Sequence, residues 1–267
     1  MNLETGVKNT WCPRCGHFSI LAAAKAVIQE LIEKGERPED FAIASGIGCH
    51  AKIVDYINVN SFYSIHGRVP PTISGMKIAN PDLTVIGFAG DGDGYGEGVA
   101  HIVFAAKRNI DITMIIHNNR IYGLTTGQFS PTTPQGQKTK STPYGNPEYQ
   151  LNPIKLMLGS GATFVARTSS FDLNHMKEMI RQGIAHKGFA VIDVVEPCIS
   201  FFNATDYIRK NAYVMENHDS SDINKAWERA GEWNYTLEGK IPIGIFYKED
   251  KPTFDELLLK GKNLRKS

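Results

Sequence analysis

The chain has 267 residues, of which 42% are hydrophobic and 21% charged, a balance that excludes a disordered chain and suits a globular one. Lys+Arg total 29 against Asp+Glu 28, a formal net charge of +1, so neither a nucleic-acid surface nor a polybasic membrane surface is expected as the main function. The length suits one large α/β domain, or a domain with a small appendage, and the four cysteines (Cys12, Cys15, Cys49 and Cys198) are too few for a disulfide scaffold.

The first residues, Met1-Asn2-Leu3-Glu4-Thr5, carry neither a basic nor an apolar leader region. No run reaches the roughly 18 apolar residues of a membrane span. A cytoplasmic chain with reduced thiols is therefore expected, and in that compartment cysteines more often bind metal or do redox chemistry.

In chain order, Ile20, Leu21, Ala24, Val27, Ile28, Leu31 and Ile32 recur at helical spacing, and Gly35 ends that helix. Phe41–Ala44 reads as a buried strand, and Leu83–Phe88 as another that runs into a glycine cluster. A helix is expected over Glu97–Arg108 and a strand over Ile112–Ile116. Gly123–Pro153 is a long Thr/Gly/Pro-rich loop holding Thr132 and Thr133, and loops of that length in compact domains are usually functional. Ala162–Ala166 reads as a strand, Leu173–Ala185 as a helix and Phe189–Val195 as a strand. The final segment, about residues 206–267, is more polar with weaker alternation, and it is expected to be a peripheral extension that contacts a partner chain.

Strand and helix in alternation predict an α/β fold with a mostly parallel sheet and helices on both faces. Ligands of such sheets bind beyond the carboxyl ends of the strands. Those places read Ser45-Gly46-Ile47-Gly48-Cys49, Gly90-Asp91-Gly92-Asp93-Gly94, His117-Asn118-Asn119 and Glu196-Pro197-Cys198. The second follows a strand and opens a helix, which suits a phosphate. No register within it supplies the Gly-x-Gly-x-x-Gly of a dinucleotide fold, and no Gly-Lys-Ser/Thr of a P-loop follows.

Its two carboxylates point to a hard cation such as Mg²⁺, which bridges to phosphate oxygens. Asp91 precedes Asn119 by 28 residues, each just after a strand. This pairing resembles the thiamine-diphosphate motif. The resemblance implies Mg²⁺ held by Asp91, Asn119 and the backbone oxygen of Ile121.

Cys12-Pro13-Arg14-Cys15 is a Cys-x-x-Cys that by itself fits zinc, a redox dithiol or part of an iron–sulfur site. Cys49 and Cys198 each follow a strand on the same expected sheet edge. Four thiolates there fit either a structural zinc or a [4Fe–4S] cluster.

The runs Cys12-Pro13-Arg14-Cys15-Gly16-His17, Gly46-Ile47-Gly48-Cys49, His66-Gly67-Arg68, Gly90–Gly94, Asn118-Asn119, Tyr122-Gly123-Leu124-Thr125 and Pro197-Cys198 occur in that order. Together they resemble the β subunit of 2-oxoacid:ferredoxin oxidoreductases over about residues 9–205. Arg14 departs from the pattern, since many relatives carry glycine there. The resemblance implies a thiamine-diphosphate-binding fold and a 1–205 cofactor domain. It implies that Cys12, Cys15, Cys49 and Cys198 ligate one [4Fe–4S] cluster. It implies thiamine diphosphate contacts from Ile47, Gly48, Cys49, His50, His66, Gly67, Arg68, Gly92, Asp93, Gly123 and Leu124. The implied reaction is oxidative decarboxylation of a 2-oxoacid with coenzyme A to acyl-CoA and CO₂, with electrons passing through the cluster to ferredoxin.

Lys52 is a candidate partner for a substrate carboxylate, against the plainer reading of a solvated lysine, and Leu124 is a candidate for the substrate pocket. His17 and His50 flank cluster cysteines, and Tyr122 sits in the cofactor-binding stretch. No glutamate occupies a recognisable position for activating the aminopyrimidine. An α subunit is expected to complete the site, in a heterodimer or a dimer of heterodimers. The rival reading is a non-redox thiamine-dependent lyase or transferase subunit with a structural zinc.

Overall fold

The computed structural model describes residues 2–260. Helix α1 (His17–Glu33) precedes β1 (Phe41–Ser45), a 3₁₀ turn (His50–Asp55), β2 (Asn60–Tyr63) and α2 (Val69–Ala79). Next come β3 (Thr84–Gly90), a π-helical turn (Asp93–Glu97), α3 (Val99–Arg108) and β4 (Thr113–Asn118). After the long loop follow α4 (Pro153–Gly159), β5 (Phe164–Ser169), α5 (Leu173–Ala185) and β6 (Ala190–Val195). The chain closes with α6 (Thr205–Asn211), β7 (Ala212–Val214), α7 (Ile223–Gly231), β8 (Ile241–Lys248) and α8 (Phe254–Leu259).

All eight strands form one sheet in the order β2-β1-β3-β4-β6-β5-β8-β7. Every pairing is parallel except β5–β8, which is antiparallel with a register shift between Val165 and Ala166. The central strands are apolar on both faces, as strands covered on both sides must be. Ile43, Ile86, Phe88, Ile115, Ile192 and Val194 point to the layer that holds α1 and α5. Ala44, Val85, Ala89, Met114, Ile116 and Val191 point to the opposite layer, against α2, α3, α4 and α7. The period-2 alternation thus assigns successive residues to two separate cores.

The expected elements are present with shifted ends. α1 starts at His17, two residues after the second cysteine of the Cys-x-x-Cys, and not at Ile20. The helix expected from Glu97 divides into the π-helical turn and α3, which Asn109 ends in the left-handed conformation at φ 51°. β2 is a short exposed edge strand with no buried face, so hydrophobic periodicity carries no signal for it. Among the described residues, no helix is long and apolar enough to cross a membrane.

The C-terminal segment differs most from expectation. In its described part it is built into the sheet through β8, and it forms a third core around Trp233, Tyr235, Ile241 and Ile243 with Ile121, Val195 and Phe202. Its polar character conceals a buried electrostatic anchor. Arg167 on β5 is fully buried, stacks on Trp233, Tyr235 and Phe246, and donates to the Tyr235 hydroxyl and the Pro242 carbonyl. Asp193 on β6 supplies the counter-charge at 3.8 Å and accepts from the Tyr235 hydroxyl at 2.6 Å. Breaking one side of such a buried pair costs about 3–5 kcal/mol. Asp193→Ala should therefore lower the urea midpoint by that amount of stability with the slope unchanged. An unaltered midpoint would show that the pair does not hold the C-terminal strands to the sheet.

Candidate active site

The carboxyl ends of β1, β3, β4 and β6 lie side by side, in register through Ser45 beside Phe88, Gly90 beside His117 and Asn118 beside Val195. A cavity opens at this edge. From the first turn it is lined by Ile47, Gly48, Cys49 and His50, and His66 closes one side. Asp91, Gly92 and Asp93 come from the end of β3, and Asn119, Ile121, Gly123 and Leu124 from the chain after β4.

Asp91 is buried and accepts hydrogen bonds on one oxygen from the Ser130 and Thr132 hydroxyls. Burial pushes its carboxyl up to about 6, against the lowering effect of those two donors. A desolvated carboxylate in that condition suits a bound cation, which restores the charged form. The Thr132 hydroxyl also lies 3.0 Å from the Asn118 side-chain oxygen, within reach of its one shared proton, and the Asn118 amide donates to Asp193. The cavity edge is thereby tied to the anchor beneath the C-terminal strands. The backbone of Ile121 donates to the Asn119 side chain at 3.0 Å, closing the turn that carries the other two expected Mg²⁺ ligands.

Arg120 stands at the centre of this turn with φ 60°, and its side chain leaves the cavity. The guanidinium is buried between Phe202 and Trp233 and donates to the carbonyls of Tyr235 and Thr236. Burial lowers its pKa to about 10, so it stays cationic at neutral pH. Sequence reasoning missed Arg120, Ser130 and this use of Thr132. The threonine-rich composition of the loop was the available signal for Thr132, and the loop's length for Ser130.

Asp93 organises the opposite wall. Its carboxylate accepts from the Gly67 backbone N–H at 2.7 Å, lies 2.8 Å from His66 Nδ1 and 3.4 Å from His50 Nε2. Burial alone would raise its pKa, but the two imidazoles and the Gly67 amide prevail and hold it well below the usual carboxylate range. Burial moves His50 down, whereas the Asp93 contact moves His66 up. A Cβ at Gly46 would overlap the Asp93 carboxylate, so only glycine admits this approach. Tyr122 lies against Gly92, and its hydroxyl donates to Glu97.

The remaining expected residues surround the cavity without lining it. Gly67 acts through its amide, and Arg68 reaches the Glu97 carbonyl at 3.4 Å. Lys52, on the 3₁₀ turn, donates to the Thr10 hydroxyl at 2.8 Å.

The four cysteines are free thiols, Cys12 exposed and the other three partly buried. A Cβ on Gly123 would lie 3.6 Å from Cys198 Sγ and 3.8 Å from Cys49 Sγ, so two sulfurs sit directly behind the cavity wall. Burial raises the pKa values of Cys15, Cys49 and Cys198, and each of Cys15 and Cys49 is raised further by neighbouring thiols. Thiolates in such a place call for metal. Zn–S bonds of about 2.3 Å would hold thiolates about 3.8 Å apart around one tetrahedral ion. Among the described residues, no three cysteine sulfurs come within 4.8 Å of one another, which leaves room for a larger centre. Directly beneath, His17 Nδ1 lies 2.7 Å from the Glu196 carboxylate and 3.1 Å from His117 Nδ1, all three residues buried.

Residues 46–194 match the model of the thiamine pyrophosphate enzyme C-terminal TPP-binding domain. Residues 198–263 match that of the C-terminal part of the pyruvate ferredoxin oxidoreductase β subunit. The 2-oxoacid:ferredoxin oxidoreductase subunit β of Saccharolobus solfataricus is 43% identical, over 91% of this chain and 82% of that protein. The 2-oxoglutarate synthase subunit KorB of Methanocaldococcus jannaschii is 38% identical, over 94% of this chain and 91% of its own. Among solved structures, a 2-oxoglutarate:ferredoxin oxidoreductase from Magnetococcus marinus, with 2-oxoglutarate, coenzyme A and succinyl-CoA bound, superposes with a TM-score of 0.91 at 36% identity, over 97% of this chain and 87% of that one. The thiamine-binding edge, the four convergent cysteines and this extent of likeness make the chain a member of the 2-oxoacid:ferredoxin oxidoreductase β subunits.

Proposed function

We propose that the chain, completed by an α subunit, converts a 2-oxoacid and coenzyme A to acyl-CoA and CO₂ and passes the electrons through one [4Fe–4S] cluster to ferredoxin. The observation that supports this best is the closeness of cavity and thiols: Cys49 lines the cavity, and a Cβ on the lining residue Gly123 would lie 3.6 Å from Cys198 Sγ and 3.8 Å from Cys49 Sγ.

Bound thiamine diphosphate supplies an electron sink for loss of CO₂, and a [4Fe–4S] cluster supplies a one-electron acceptor. The chain's own residues hold and orient. Asp91, Asn119 and the Ile121 carbonyl are the proposed Mg²⁺ ligands, with Ser130 and Thr132 fixing the Asp91 carboxylate. Ile47, Gly48, Cys49, His50, Gly92, Gly123 and Leu124 are the proposed cavity contacts, and Asp93 holds His50, His66 and Gly67 in place for theirs. Arg68, which reaches the Glu97 carbonyl, is a further proposed thiamine diphosphate contact. Lys52 reaches a substrate carboxylate by exchanging its Thr10 hydrogen bond. Among the described residues no glutamate lines the cavity, and the α subunit is proposed to supply the acid at the aminopyrimidine. The segment beyond residue 206 is proposed to contribute to the interface with that subunit, and the complex to work in the cytoplasm.

Two variants test the assignments in the complex purified anaerobically with its α subunit. Loss of a partner that merely orients a metal ligand costs 10–100-fold in affinity. Asp91→Ala should therefore weaken Mg²⁺-dependent thiamine diphosphate binding by at least about 100-fold in a titration while iron and acid-labile sulfide remain. Retained affinity would count against Asp91 as a ligand. Cys198→Ala should lose most of the iron and sulfide; intact content would remove Cys198 from the ligand set, and a colourless zinc-loaded wild type would overturn the redox reading. A panel of 2-oxoacids with a viologen acceptor then reads the substrate.

A further inference from the structure

The cluster cysteines have a charged neighbour that none of the assignments above uses. Glu196 follows β6 directly and stands two residues before Cys198, and its carboxylate is fully buried. Neither oxygen has a hydrogen bond of good geometry, although His17 Nδ1 approaches to 2.7 Å and His117 Nδ1 to 3.8 Å. The chain makes room for it. A Cβ on Gly16, between Cys15 and His17, would collide with the Glu196 side chain and lie 3.1 Å from Ser170 Oγ. The backbone N–H of His17 also donates to the Cys15 sulfur, so the segment that carries Cys15 is the one that faces Glu196. Glu196 is thus packed against the residue that follows Cys15 and lies two residues before Cys198 in the chain, so one carboxylate adjoins two of the cysteine-bearing segments. His117 is kept neutral by burial, its pKa well below the ordinary value, and adds no compensating charge.

We propose that Glu196 is a positioning residue that lowers the reduction potential of the cluster: a carboxylate wedged against Gly16 at the start of α1 and held by His17 adds negative charge beside a centre that gains negative charge on reduction. The inference rests on the [4Fe–4S] reading of Cys12, Cys15, Cys49 and Cys198. Because the Glu196 side chain is itself fully buried, its charge is less screened by salt than a surface carboxylate's. It disfavours the added electron without touching any iron ligand. A cluster poised low in this way can pass its electron onward to a low-potential acceptor. The same carboxylate meets His17 and His117, which line the cofactor cavity, so donor cavity and acceptor site share one buried polar contact.

The test is an EPR-monitored redox titration of the complex, with iron and sulfide measured on the same samples. Glu196→Gln keeps the shape and removes the charge. It should favour the reduced cluster about tenfold, an upward shift of about 59 mV for a one-electron couple, while Glu196→Asp, which keeps the charge, should stay near the wild-type potential. An unshifted potential in Glu196→Gln with full iron content would overturn the inference and leave the cluster reading standing. A wild type without iron and sulfide would overturn the cluster reading and this inference with it. Should Glu196→Gln fail to hold a cluster, Glu196→Ser provides the same neutral measurement. Loss of iron from both neutral variants, with Glu196→Asp loaded, would make the carboxylate an assembly requirement and refute a role in setting the potential.

Discussion

In a parallel sheet every strand runs out at the same edge, and its last backbone groups and loops must find partners there. The register of β1, β3, β4 and β6 turns that constraint into a site. Four strand ends that are distant in sequence are neighbours, so their four turns share one edge and one cavity opens there. Everything chemical in this chain depends on that alignment. A slip of one residue in β3 against β4 would reverse which faces their side chains occupy and separate Asp91 from Asn119.

The edge is stiffened from below by buried polar contacts. Thr132 links Asp91 to Asn118, Asn118 links to Asp193, and Asp193 links through Tyr235 and Arg167 to the C-terminal strands. Arg120 makes a second link from the Asn119–Ile121 turn to Tyr235 and Thr236. Unpaired members of such networks are costly, so satisfied ones specify a single arrangement. The C-terminal segment is therefore part of what positions Asp91 and the Asn119–Ile121 turn, although none of its described residues lines the cavity.

Charge is distributed unevenly across the same edge. On one side, Asp93 is partnered by His50, His66 and the Gly67 backbone amide. On the thiol side, Glu196 faces His17 and His117, and burial pushes Cys15, Cys49 and Cys198 toward their protonated forms. The two halves of the edge thus differ in how their buried carboxylates are partnered.

Much of this is legible in the sequence because its signals are local. Apolar runs covered on both faces identify β1, β3, β4 and β6, and the glycine, asparagine and cysteine residues that follow them mark the turns. The Asp91–Asn119 spacing and the Cys12–Cys15 pair are likewise properties of short stretches. Other features depend on contacts between residues far apart in the chain, where periodicity has no reach. A serine or threonine in a loop does not announce that it will hold Asp91, and Arg120 and Arg167 read as surface cations until aromatic rings enclose them. β8 reads as peripheral because its polar neighbours dilute the alternation, yet pairing with β5 buries it. Strands, turns and ligand types follow from residue-by-residue propensity and spacing, so the amino-acid order alone sets them. The meeting of His17, His117 and Glu196 beneath the cysteines does not follow from that order read locally. It requires α1, β4 and β6 to be packed together, and that packing exists only in the folded chain.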